Sequence, residues 1–379
     1  MKEVALVNLA PALELLAAAS VIALGLLALW SWRQRRADAR ARLLALSALT
    51  LFLTADLIVF GSFTRLTDSG LGCPDWPGCY GAATPWGASA QIAAAEQAQP
   101  TGPVTLTKAW IEMIHRYLAM TVGALILVQA ALLWRARRQL AAAVGWSFAA
   151  LAWVIVQGLF GKYTVTLKLY PAIVTLHLLG GMVLLALLVA QFEGLRGAPS
   201  PAGARGAGWA FGLLVVQIAL GGWVSTNYAV LACRGFPQCN GQWWPEMDFA
   251  QGFVLLRELG RGSADGFVSF PALVAIQMAH RLMALVVTLV LAVVAARLWR
   301  GADASGRRYA IAIGGVLLAQ WISGLTNVLL DWPLVAALIH SAGAAALTGL
   351  LVSLSQRSRL HRAAAGAEAI GGSLRRNAA

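Results

Sequence analysis

The chain has 379 residues, 59% of them hydrophobic and 12% charged, with a mean hydropathy of +0.70. Length alone would suit two soluble domains, but this composition belongs to polytopic membrane proteins, whose solvent is the bilayer. The net charge of +13 does not argue for nucleic acid, because the basic residues punctuate alternate loops instead of lining a groove.

Apolar runs long enough to cross ~30 Å of hydrocarbon, about 20 residues each, fall at 10–32, 43–63, 111–134, 141–160, 171–192, 209–227, 271–299, 309–330 and 334–355. They predict an all-α integral membrane protein with nine helices. Met1 to Leu15 carries Glu3 and Glu14 against Lys2, unlike an Arg-rich transit peptide. The first run ends in Arg33, Arg35, Arg36, Arg40 and Arg42 with no small-residue cleavage pattern, so it is read as a retained helix. Arg135, Arg137 and Arg138 follow the third run, Arg196 and Arg205 the fifth, and Arg297, Arg300, Arg307 and Arg308 the seventh. With Arg357, Arg359, Arg362, Arg375 and Arg376 of the tail, they mark one side as cytoplasmic, which puts the N-terminus outside and the C-terminus inside.

The two long outer loops hold all four cysteines, Cys73 and Cys79 in one, Cys233 and Cys239 in the other. Each pair spans a tight Pro/Gly-containing loop that could close as a disulfide in an oxidising compartment, as a structural staple or, for the first pair, in a redox role. A zinc site is disfavoured, because the gap within each pair exceeds the usual spacing and neither loop holds a histidine.

A shift of 160 residues lays Cys73 on Cys233, Pro77 on Pro237, Cys79 on Cys239 and Gly81 on Gly241; a shift of 163 lays Gln157 on Gln320, Gly161 on Gly324 and His177 on His340. The chain therefore reads as two pseudo-symmetric four-helix transmembrane bundles plus one extra N-terminal transmembrane helix. The expected divisions are 1–42 for that helix and a basic loop, 43–196 for the first half, 197–208 for a linker, 209–355 for the second half and 356–379 for a basic tail.

His115 and His177 of the first half, and His280 and His340 of the second, lie in the first turns of helices entering from outside. A buried imidazole in a membrane helix is costly unless it binds something, so repeated pairs point to two bis-histidine haem sites with iron held through His115, His177, His280 and His340. For a single histidine, a bond to a neighbouring helix's carbonyl is the plainer reading. His361 lies in the basic tail and is read as solvated.

The copies differ where chemistry is expected. Glu112 precedes His115 by one turn, whereas Gln277 precedes His280. A carboxylate there can exchange protons and an amide cannot, although an anchoring Glu112–Arg116 pair is an alternative. Arg65 and Asp75 face Ser225 and Gly235 in the second copy. Arg65 suits a haem propionate or lipid headgroups, and Arg116 and Arg281, present in both halves, suit propionates. Asp56, opposite Val216, needs a partner or a proton.

The segment from Arg65 through Thr67, Asp68, Cys73 and Asp75 to Pro77, the run Glu112-Met113-Ile114-His115-Arg116, and the segments around His177, His280 and His340 resemble the haem A synthase family over about 43–355. The resemblance implies oxidation of the C8 methyl of haem O to a formyl group, giving haem A for terminal oxidases, in the bacterial cell (inner) membrane. It implies haem O as substrate on His115 and His177, haem B as cofactor on His280 and His340, Glu112 as essential, and a redox function for Cys73 and Cys79. It also implies haem O synthase and terminal oxidase assembly factors as partners, and it leaves room for a homo-oligomer. Asp68 stands where the family usually has glycine, and the extra first helix departs from the usual eight. The rival readings are a dihaem b-type cytochrome for quinone-linked electron transfer, which would not need Glu112 in one half alone, and a haem transporter or chaperone.

Overall fold

The computed structural model describes residues 6–262, 266–301 and 303–377, with side chains as far as residue 366. Lys2 and Glu3 and the side chains of Arg375 and Arg376, used in reading the two ends, lie outside the described residues. In chain order the elements are β1 (Val7–Asn8), α1 (Ala12–Arg33), α2 (Ala39–Leu66), β2 (Trp76–Pro77), α3 (Ser89–Ala98), α4 (Leu106–Arg135), α5 (Ala141–Thr166), α6 (Pro171–Arg196), α7 (Ala207–Thr226), α8 (Phe249–Gly252), α9 (Phe270–Arg300), α10 (Ala304–Leu329) and α11 (Leu334–Asn377). Among the described residues, nine helices are long and apolar enough to cross a membrane: α1, α2, α4 to α7, and α9 to α11.

Several helices begin earlier than their apolar runs, because polar caps carry the hydrogen bonding past the apolar stretch. Asp38 accepts from the Ala41 N–H, and Thr105, Ser269 and Asp303 cap α4, α9 and α10 in the same way. At the other end, α11 runs on without a break from the last apolar stretch into the basic tail.

Helices α2, α4, α5 and α6 pack in a closed ring, each against its neighbours, and α7, α9, α10 and α11 repeat that ring. The rings meet through α6 on α7, α2 on α11, and α6 on α11. Duplication is visible at this seam, since residues there touch their own copies: Arg65 donates to the Ser225 carbonyl at 2.6 Å, and the Tyr228 hydroxyl donates to Asp68 at 2.6 Å. At the opposite end Glu193 accepts from Ser353 at 2.6 Å and from Arg357 at 2.8 Å, in a pair that is almost fully buried. Loop backbones repeat as well: Asp68 and Tyr228, Tyr80 and Asn240, and Lys168 and Asp331 all have positive φ.

Helix α1 stands outside both rings and packs on α4. Its buried residues Leu15, Ala19 and Ala23 recur every four positions, a single stripe that leaves Leu13, Leu16, Val21 and Leu24 for the lipid.

Candidate active site

The four histidines lie where the sequence puts them: His115 on α4, His177 on α6, His280 on α9 and His340 on α11, each near the helix end closest to the disulfide loops and each half-buried. Each ring leans on a glycine of an adjacent helix. A Cβ placed on Gly61 would stand 3.1 Å from Nε2 of His115, and one on Gly161 3.7 Å from Cε1 of His177. In the second ring, a Cβ on Gly221 would stand 2.9 Å from Cε1 of His280, and one on Gly324 3.4 Å from Cε1 of His340. A repeated histidine–glycine contact is a cradle: the missing side chain leaves room for the imidazole beside the neighbouring helix.

The residues fit a haem: the His280 and His340 rings come together in the second ring of helices with their centres 6.3 Å apart, and such an imidazole pair would hold its iron. In the first ring, Nδ1 of His177 is buried with no hydrogen-bond partner, and His115 lies near-parallel to Phe60 at 6.4 Å between ring centres.

The two rings differ in how their histidines are held. Gln217 Nε2 lies 3.1 Å from Nδ1 and 3.4 Å from Nε2 of His280, and Ser323 Oγ lies 3.1 Å from Nδ1 of His340. The Ser323 hydroxyl, which donates to the Ala319 carbonyl, can accept from Nδ1–H of His340 and leave the other ring nitrogen for a metal, whereas the Gln217 amide packs against both nitrogens of His280. At the equivalent positions the first half has Leu57 and Phe160, which offer no such partner. Sequence reading missed Gln217 and Ser323 because neither is repeated. The glycines were visible as repeats, Gly61 with Gly221 and Gly161 with Gly324, but their histidine contacts need the fold.

Glu112 is 4% exposed, and both its oxygens are engaged. One accepts from Arg116 at 2.5 Å and the other from the Cys73 N–H at 2.8 Å, so the carboxylate bridges α4 to the disulfide loop. Gln277, equally buried in the second ring, has an unpartnered Oε1. The anchoring Glu112–Arg116 pair is thus present, with the Cys73 N–H on the second oxygen.

Both cysteine pairs are closed as disulfides, Cys73 with Cys79 and Cys233 with Cys239, each with a Cα–Cα distance of 4.8 Å. Arg116 donates to the carbonyls of Asp75, Pro77 and Gly78, and Arg281 to those of Cys233, Gly235 and Gln238. These guanidinium groups therefore pin the loops to the helices that carry His115 and His280. Asp75, fully buried, accepts from the N–H groups of Tyr80 and Gly81. Burial, and then the Asp75 charge, push the Tyr80 hydroxyl above the ordinary tyrosine value.

Arg65 joins Asp68 at 3.0 Å and stacks on the Tyr228 ring at 4.1 Å. Asp68 has φ +49°, a left-handed conformation that aspartate tolerates. Asp56 is exposed on α2, with no hydrogen bond or ion pair among the described residues. Surface hollows at the basic end, lined by Arg205 and Arg362 in one case and by Arg297 and Arg300 in the other, include none of the candidate residues. Among the described residues, no group of three or more His, Cys, Asp or Glu side chains could hold a metal ion.

A family model described as Cytochrome oxidase assembly protein, COX15-CtaA, matches residues 45–352. The Heme A synthase of Shewanella oneidensis is 34% identical over 319 residues, covering 81% of this chain and 94% of that protein. That of Methylobacterium radiotolerans is 30% identical over 334 residues, covering 81% and 87%, and that of Caulobacter vibrioides 28% identical over 345 residues, covering 82% and 96%. The family match takes in both rings and all four histidines and begins after α1. By its matched span and these relatives, the chain belongs to the haem A synthase family.

Proposed function

We propose that this protein oxidises the C8 methyl group of haem O to a formyl group, with oxygen drawn from water, to give haem A for terminal oxidases. The observation that carries this reading is the contrast between the rings: a buried carboxylate, Glu112, one turn from His115, against the amide of Gln277 one turn from His280. Converting a methyl to a formyl with water's oxygen releases four electrons and four protons, so a base is needed in one ring only, and the carriers must pass the electrons on to an external one- or two-electron acceptor.

In this account His115 and His177 hold haem O. Glu112, positioned by Arg116 and the Cys73 N–H, takes up protons. His280 and His340 hold haem B, which when bound supplies a one-electron carrier. Gln217 and Ser323 orient those two ligands, as suits a resident cofactor, while His115 and His177 have no such restraint, as suits a ligand that enters as substrate and leaves as product. The Cys73–Cys79 disulfide, whose backbone hydrogen-bonds Glu112, is a second electron acceptor; its reduction to two thiols takes up two electrons and two protons.

Residues 43–196 form the substrate half and 209–355 the haem B half, joined by the linker 197–208 and flanked by 1–42 and 356–379. The arginine-rich ends support a cytoplasmic C-terminus and an outer N-terminus in the bacterial cell membrane. Haem O synthase and terminal oxidase assembly factors are the partners this reaction calls for. Pigment extraction from purified protein tests the proposal: haem O or haem A alongside haem B is expected, and haem B alone in both rings would identify a dihaem cytochrome instead.

A further inference from the structure

The helix that precedes the family match is built into the first ring's loop. Strand β1 lies parallel to β2 with Val7 beside Trp76 and Asn8 beside Pro77, and the Leu6 carbonyl accepts from the Trp76 N–H at 3.1 Å. Asn8 and Pro11 close over the turn that follows: a Cβ on Gly81 would stand 2.7 Å from Asn8 Nδ2, and one on Gly78 2.6 Å from Pro11 Cγ. Leu15, 1% exposed, belongs to the same buried cluster as Cys73, Cys79 and Met113. The loop so covered donates its Cys73 N–H to Glu112 and gives three carbonyls to Arg116. Among the described residues, no strand or helix before α7 covers the second loop in this way; its cysteines are buried against Val274 and Met278 instead. A Cβ on Gly241, the repeat partner of Gly81 at nearly the same φ, meets nothing within 4 Å.

We infer that residues 6–23 are a positioning clamp on the Cys73–Cys79 loop, holding the Cys73 N–H on the Glu112 carboxylate and shielding the first disulfide from soluble thiols. A two-residue strand and a disulfide loop with five residues between its cysteines have little structure of their own to resist opening. Packing from α1 supplies that resistance, at a loop that touches the carboxylate. The consequence for product formation rests on the proposed role of Glu112, whereas the shielding is measurable without turnover.

The test uses the full chain in membranes and follows the reduction of both disulfides by a mild thiol, with alkylation and mass spectrometry of each pair. Cys233–Cys239 serves as the internal reference. Asn8→Ala combined with Leu15→Ala is expected to raise the ratio of first-pair to second-pair reduction rates by about tenfold, and Asn8→Ala alone by less. Leu15→Met, which refills the same volume, is expected to keep the ratio of the unmodified chain. An unchanged ratio in both loosened variants overturns the clamp. In the same cells the ratio of haem A to haem O is expected to fall in the double variant and to be kept in Leu15→Met; a faster reduction with full haem A formation overturns the positioning of Glu112. If the unmodified chain forms no haem A, the functional reading fails, and the reduction rates alone decide the clamp.

Discussion

Replacing Gly221 by alanine is expected to weaken haem binding in the second ring while leaving the helices intact. The new Cβ would stand 2.9 Å from Cε1 of His280, closer than real Cβ contacts allow, and the ring is already held by Gln217 at 3.1 Å. Overpacking of this kind costs ~1–3 kcal/mol, which corresponds to a loss of haem affinity of about 5- to 150-fold. Helix propensity acts in the opposite direction, since alanine in place of a helical glycine is favourable by up to ~1 kcal/mol. A purely structural glycine would therefore give a more stable protein with its haem retained. The same reasoning ranks the other cradles by their Cβ distances: Gly61→Ala at 3.1 Å next, Gly324→Ala at 3.4 Å milder, and Gly161→Ala at 3.7 Å tolerated. Gly158→Ala and Gly314→Ala, whose Cβ would meet nothing within 4 Å, serve as controls. The assay is haem per mole of purified protein from reduced-minus-oxidised spectra, together with thermal unfolding. Full haem content in Gly221→Ala, or greater loss in Gly161→Ala than in Gly221→Ala, would refute the cradle argument.

Gln217→Leu combined with Ser323→Ala removes the partners of His280 and His340 and is expected to weaken haem B retention by about 10- to 100-fold, read by haem titration of the purified protein. Unchanged affinity would mean that the two side chains do not orient the ligands. Glu193→Gln leaves Arg357 buried without its carboxylate and is expected to cost about 3–5 kcal/mol, seen as a lowered unfolding midpoint. Replacing both residues by apolar side chains is expected to recover most of that loss. Asp303 is held below the ordinary aspartate value of 3.8, chiefly by the Gly306 N–H and also by the Ala202 N–H. Its contribution to stability is accordingly present above that value and lost as pH falls through the lower folded value. Asp303→Asn is expected to flatten this acid limb of a stability–pH curve, and an unchanged limb would assign the loss to other groups.

The nine spans and the duplication were legible in the sequence because the bilayer imposes length and apolarity on every helix, and because the two copies keep their cysteines and histidines at constant shifts. The outlying helix was legible too, but not its work: two extended residues at Val7–Asn8 carry no periodicity, and their pairing with Trp76–Pro77 exists only in three dimensions. Arg116 and Arg281 stood out as cations beside histidines. Their contacts with loop carbonyls depend on how each disulfide loop folds back over its helix. Asp68, in sequence only a departure from a usual glycine, proves to join Arg65 and Tyr228 across the seam between the rings. Gln217 and Ser323, which contact His280 and His340, escaped notice for the reason that makes them informative, namely that they occur in one copy alone.

The most direct test of the central claim is the identity of the haem extracted from cells that make haem O and express either this chain or its Glu112→Gln variant. The account predicts haem A from the unmodified chain; from the variant it predicts haem O without haem A, with haem B still bound. Undiminished haem A from the variant, or haem B as the sole pigment of the unmodified chain, would contradict it.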